Sequence, residues 1–131
     1  MQHREDIEGD ARQKERAYSP AVKITGGTTI YLAGHGGYQD ESGTTYPGDF
    51  DAQVRVSFER MRKVLEKAGG TLDDIVTMTV FITDMANGNR FTQLRKNVFT
   101  QGCYPASAMI GIKELARPEM MIEIQAIAVI G

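Results

Sequence analysis

The chain has 131 residues, 41% of them hydrophobic, enough for one compact domain with a real core and too few for two. A single cysteine excludes a disulfide framework or cysteine-built metal site, and a net charge of −2 with no basic stripe and no tryptophan leaves no footprint for nucleic acid or an anionic membrane. No apolar run is long enough to span a bilayer and the N-terminal residues carry no secretory hydrophobic segment, so a cytoplasmic protein is expected, with small-molecule chemistry or protein contact as its remaining roles.

Residues 1–17 are highly charged and lack amphipathic periodicity, which reads as a flexible arm that orders at most against a neighbour. His3 within it is given no role. Residues 18–131 are expected to form the one domain. After an extended entry at Tyr18-Ser19-Pro20, the run AVKITGGTTIYLAG holds two short strands around Gly26-Gly27, a pair suited to a tight hairpin turn. Residues 34–49 are crowded with glycine, proline and small polar residues and form a candidate functional loop. From about Asp51 to Ala68, Val54, Phe58, Met61, Leu65 and Ala68 recur at helical spacing, and Gly69 is placed to end the helix. Ile75 to Thr83 reads as a strand with Val76, Met78, Val80 and Ile82 on one side and Ile75, Thr77, Thr79 and Phe81 on the other. A second helix is expected from about Asn89 to Gln101, with Phe91, Leu94 and Val98 as its buried stripe and Gly102 as its terminator. Ala106 to Ile112 and Met120 to Ile130 supply the last strands. The order is ββαβαββ, an α+β arrangement with two helices on one face of a sheet.

The final strand carries the chain's most informative residue. Its alternation puts Met120, Ile122, Ile124, Ala126, Ala128 and Ile130 on a core face, and Met121, Glu123, Gln125, Ile127 and Val129 on the other. A carboxylate and an amide followed by apolar residues suit an interface that holds a polar site. Two helices cover only one side of such a sheet, so the second apolar face is expected to be buried against copies of the chain in a closed homo-oligomer. Each large apolar side chain so buried contributes about 1.5–3 kcal/mol.

Taken together, Y-S-P-A-V at the first strand, AGGTLDDIVTMTVFITDM, YPA before the penultimate strand and IEIQAIAV at the end resemble the RidA/YjgF family of enamine and imine deaminases. The resemblance extends over nearly everything after Tyr18. It implies a chorismate-mutase-like fold and a homotrimer with small-molecule sites in the clefts between subunits. It also implies hydrolysis of reactive 2-imino or 2-enamino acids with release of ammonia. By the same resemblance Tyr18 stands at the family tyrosine and Glu123 at the glutamate that holds or activates water. Ala33-Gly34-His35 replaces a Ser-Gly-Gln triplet, and Thr92 replaces a helix asparagine.

One departure bears on substrate choice. Where the family has an arginine that grips the substrate carboxylate, this chain has Ser107, which offers one neutral hydroxyl in place of a planar, bidentate cation. An altered substrate preference follows, and a non-catalytic metabolite-binding or stress-protective trimer is the alternative. Arg90, Arg95 and Arg117 read as surface charges, Arg117 being the first candidate to replace the lost grip because of its loop beside the site strand. His35 reads equally as a solvated loop histidine or as a ligand donor and proton shuttle. Cys103 reads as a small core residue. GHGG lacks the spacing of a dinucleotide fingerprint, and no metal or cofactor is expected.

Overall fold

A computed structural model describes residues 2–131. In chain order the elements are β1 (His3–Asp6), α1 (Ala11–Glu15), β2 (Val22–Thr25), β3 (Thr28–Tyr31), β4 (His35–Gly36), α2 (Phe50–Lys67), β5 (Ile75–Ile82), α3 (Gly88–Lys96), β6 (Ala106–Gly111) and β7 (Ile122–Ile130). The main sheet runs β3-β7-β5-β6, with β4 also paired to β7. β5 and β6 are parallel and the other pairs in this sheet antiparallel, as a helix crossover between β5 and β6 requires. No helix among the described residues is long and apolar enough to cross a membrane.

The helices form where their periodicity and caps dictate. Asp49 caps α2 by accepting from the Ala52 amide, Gly69 takes a left-handed φ of 89° just beyond its end, and Phe50, Val54, Phe58, Met61 and Leu65 line the buried face. They pack on Met78, Val80, Ile82, Ile122, Ile124, Ala126 and Ala128, with Phe91 of α3 stacked at 6.1 Å on Phe58 and Phe99 edge-on to it at 5.9 Å. The opposite face carries no helix. Its cross-strand rows are Tyr31, Ile127, Thr77 and Ala106, then Gln125, Thr79 and Ala108, then Glu123, Phe81 and Ile110. Tyr31 is 79% exposed and Ile110 42% exposed, so this apolar face is open in the single chain.

Several expectations are corrected. Residues 3–6, read as part of a flexible arm, pair with Val22–Thr25, and Arg4 fastens them by donating to the Asp73 and Cys103 carbonyls at 2.6 and 3.2 Å. A charged segment is thereby ordered against its own chain through one long side chain, which periodicity does not reveal. The strands around Gly26-Gly27 do not form the expected hairpin, because β2 pairs with β1 while β3 joins the main sheet. Both glycines have φ near 80° (74° and 82°) and redirect the chain between sheets. A bulge between Ile75 and Thr77 buries Ile75 and leaves Val76 partly exposed, reversing the faces read for these two. α3 ends at Lys96, short of Gln101, and buries Phe91, Thr92 and Arg95 with Leu94 and Val98 only partly covered.

Candidate active site

The candidate residues gather in two groups on opposite faces of the sheet. Glu123, second in β7, lies opposite Phe81 of β5 and Gly36 of β4, on the uncovered face. None of the ion pairs among the described residues includes it. Its bed is a bare backbone: a Cβ built on Gly34 would stand 2.9 Å from Cδ of Glu123 and 3.0 Å from Oε2. The geometry arises because the Leu32 amide still donates to the Ala126 carbonyl, after which Ala33 and Gly34 leave the ladder before it resumes at β4. The strand therefore yields at the two residues beside the carboxylate.

His35 follows at once but turns the other way. Its register partner is Ile124, so its ring faces the α2 side of the sheet, while Glu123 faces the open side. Burial first, and then the nearby Arg60 charge, push its pKa below the usual histidine range, with Glu123 acting weakly in the opposite sense. Burial and the Arg60 charge both favour the neutral ring. Arg117 stands over the Tyr38 ring at 6.0 Å and, with Gly36, Tyr38, Gln39, Arg60 and Met120, lines a cavity of about 220 Å³. It is not the cation beside Ser107.

That cation is Arg95. Ser107 lies opposite Met78 and so points to the helix side, where Nη1 of Arg95 donates to its Oγ at 2.8 Å. Nη2 of Arg95 donates to the Arg16 carbonyl at 2.6 Å, and its guanidinium lies 5.6 Å from the Tyr18 ring and 5.2 Å from that of Phe91. The reading of Arg95 as a surface charge is thus corrected: it is 2% exposed. Thr92, one turn earlier on the same buried stripe, spends its hydroxyl on the Asn89 carbonyl at 2.7 Å. Arg90 pairs with Asp51 at 2.6 Å on the surface. Ala17 makes the arrangement possible by adopting a left-handed φ of 61°. That conformation costs a non-glycine residue about 1–2 kcal/mol. It sends the Arg16 carbonyl and Tyr18 toward the guanidinium. Ser19 then locks the segment to the edge of β6, its amide donating to the Pro105 carbonyl and its hydroxyl to that of Tyr104 at 2.6 Å.

A family model described as Endoribonuclease L-PSP matches residues 9–130. The chain belongs to the RidA/YjgF family. A 2-iminobutanoate/2-iminopropanoate deaminase from Mus musculus is 32% identical over 114 residues, covering 87% of this chain and 82% of that protein. A RutC family protein from Pyrococcus abyssi is 30% identical over 111 residues, covering 85% and 84% of the two chains. The crystal structure of YyfB, a Rid-family protein of unknown function from Yersinia pestis, superposes with a TM-score of 0.81 at 25% identity and 98% coverage of each chain. The α+β architecture is therefore that of the RidA/YjgF family.

Two residues that hold this arrangement in place were missed by sequence reasoning. Arg95 is spaced i, i+1, i+4 with Phe91 and Thr92, a pattern that marks one helix face; its charge argued for solvent. Gln53, fully buried on α2, donates to the Tyr46 and Glu119 carbonyls and accepts from the Met121 amide, anchoring the approach to Glu123. Cys103 has its thiol pKa raised, by burial first and Asp73 second, the direction opposite to that of an activated thiolate.

Proposed function

We propose that this protein is a RidA-like hydrolytic deaminase acting on a small imine or enamine in clefts between the subunits of a homotrimer. The observation that carries this reading is Glu123, a carboxylate in no ion pair among the described residues, set on an open apolar face against a glycine backbone. Tyr18, Thr92 and Ser107 lie on the other side of the sheet, so one chain does not bring the two halves together. A neighbouring copy that covers the open face supplies the missing half, and burying Tyr31, Phe81, Ile110 and Ile127 drives the association.

In this reading Glu123 holds a water and takes its proton as the oxygen bonds to the imine carbon. The C=N electron pair moves to nitrogen, which takes that proton from Glu123; the new hydroxyl then gives its proton by way of Glu123 to the amine, the C–N bond breaks, and a carbonyl product and ammonia leave. Tyr18 closes the substrate side, with Ala33 and Gly34 flanking the carboxylate, while the His35 ring faces the α2 side and Arg117 lines the cavity beside Tyr38. Kinship to a protein named for 2-iminobutanoate and 2-iminopropanoate supports the reaction class. Ser107 supports an altered substrate preference within that class. The endoribonuclease name of the family model finds no physical counterpart in a chain of net charge −2.

Glu123→Gln tests the proposal, since it keeps the shape and removes the base. Ammonia release should fall by roughly 100-fold or more, with the trimer mass by light scattering unchanged. An unchanged rate refutes the catalytic role, and a fall in mass with intact activity per site would make Glu123 an interface ion-pair partner. Ser107 also favours a second reading, a trimer that sequesters a metabolite without turnover; no ammonia release by the wild-type protein from any small imine, together with saturable binding, would establish it.

A further inference from the structure

The guanidinium of Arg95 is a buried cation without a counter-ion. It uses two of its five N–H donors, on Ser107 and on the Arg16 carbonyl, and its Nε is buried with no partner. No ion pair among the described residues involves it. Burial, and after it the charge of Arg16, lower its pKa to about 10, which leaves it protonated at neutral pH. An unpaired interior cation is costly, and folds retain one where an anion arrives to complete it.

The direction of one hydrogen bond shows how the charge reaches the cleft. Ser107 accepts from Arg95, so its own O–H is free to donate, and a hydroxyl already accepting from a cation is a stronger donor. Ser107 is only partly buried, at the start of the edge strand β6, beside Tyr18.

We infer that Arg95 determines the charge preference of this site: an anionic oxygen of the substrate, a carboxylate on a small imino or oxo acid, docks on the Ser107 hydroxyl, with the Arg95 guanidinium behind it as the counter-charge. Arg95 is a positioning residue, acting through Ser107. The recognition charge has moved from the strand to helix α3, one side chain deeper. This inference rests on the proposed deaminase reading for the location of the cleft, yet it concerns binding and needs no turnover.

The test is equilibrium binding to the full-length protein by calorimetry, using pyruvate, the ketone that hydrolysis of 2-iminopropanoate would leave, and its uncharged amide, pyruvamide. The wild type should bind pyruvate about 10-fold or more tightly than pyruvamide, the scale of a charge-assisted hydrogen bond. Arg95→Met should abolish that preference by weakening pyruvate and leaving pyruvamide unchanged, and Arg95→Lys should restore part of it. Ser107→Ala, which leaves the helix intact, should also remove the preference, so the inference stays exposed if Arg95→Met fails to fold. A wild type that does not distinguish the two probes overturns it, as does a Ser107→Ala protein that keeps the full preference. A partner subunit's carboxylate pairing with Arg95 would give that first result, accompanied by loss of trimer mass in Arg95→Met. If pyruvate selectivity holds while ammonia release is absent, the deaminase reading fails and this one stands.

Discussion

Gly34 and Glu123 meet so closely that no side chain fits between them: a methyl on Gly34 would stand 2.9 Å from the carboxylate carbon. No ion pair among the described residues includes that carboxylate. Gly34→Ala should therefore displace it by a few tenths of an ångström without disturbing the ladder on either side, since the φ of Gly34 is not left-handed. Misplacement of a catalytic group by about 1 Å costs on the order of 100-fold. The expected result is a fall in ammonia release of about 10-fold with a thermal midpoint near that of the wild type. A fully active Gly34→Ala protein would contradict the placement of Glu123 as the water-holding group.

Gln53 should matter for stability and for the site at once. Its carboxamide makes three hydrogen bonds, to Tyr46, Glu119 and Met121, at 2.9, 3.1 and 2.9 Å. Gln53→Leu fills the same space and strands the Glu119 carbonyl and the Met121 amide, while the Tyr46 carbonyl keeps the Asp49 amide at 3.3 Å. Each stranded buried group costs about 1–3 kcal/mol, so the midpoint should drop by several degrees. Because Met121 lies two residues before Glu123, faster hydrogen exchange at the Met121 amide should accompany the drop. An unchanged midpoint would show that water replaces the carboxamide at no cost.

His35 gives the fold a pH dependence of defined sign. Its pKa is lower in the folded chain than in the unfolded one, through burial and then Arg60. The unfolded state therefore binds the proton more readily, so this contribution to stability is complete above the unfolded value of about 6.5 and is lost as pH falls toward the folded value. Melting curves between about pH 7.5 and 5.5 should show a decline that is smaller in His35→Gln. The same slope in both proteins would assign the decline elsewhere.

Most of the fold was legible because it is written in two periodicities. The helical spacing of Val54, Phe58, Met61 and Leu65 and the alternation of Ile122, Ile124, Ala126 and Ala128 each report a single buried face, and both faces are buried as read. What escaped depends on single polar side chains whose partners are distant in sequence. Arg4 reaches Asp73 and Cys103, and Gln53 reaches Glu119 and Met121. Arg95 is the sharpest case. Its charge predicts solvent, whereas two carbonyl and hydroxyl acceptors and two aromatic rings hold it inside. The placement of Glu123 on the open face follows from the strand pattern and was accessible to reasoning; the inward turn of Arg95 from α3 was not.

The buried charge also changes what restoring the family arginine should do. In a site that had merely lost its cation, Ser107→Arg would return the carboxylate grip and raise activity on 2-imino acids. Here the new guanidinium would enter the space in which Arg95 already donates to Oγ of Ser107 at 2.8 Å. Two cations about 4 Å apart repel by about 4 kcal/mol at an effective dielectric of about 20. Ser107→Arg alone should accordingly lower the thermal midpoint and bring no gain in hydrolysis of 2-iminopropanoate. Ser107→Arg combined with Arg95→Met removes the competing charge and frees its volume, so the double variant should recover stability and exceed the wild type in rate. The two substitutions should thus be strongly non-additive in both melting and kinetics, as residues in direct contact are. If Ser107→Arg alone proves as stable and as active as the double variant, the two side chains do not share one space, and the description of Arg95 as the displaced charge of this site is wrong.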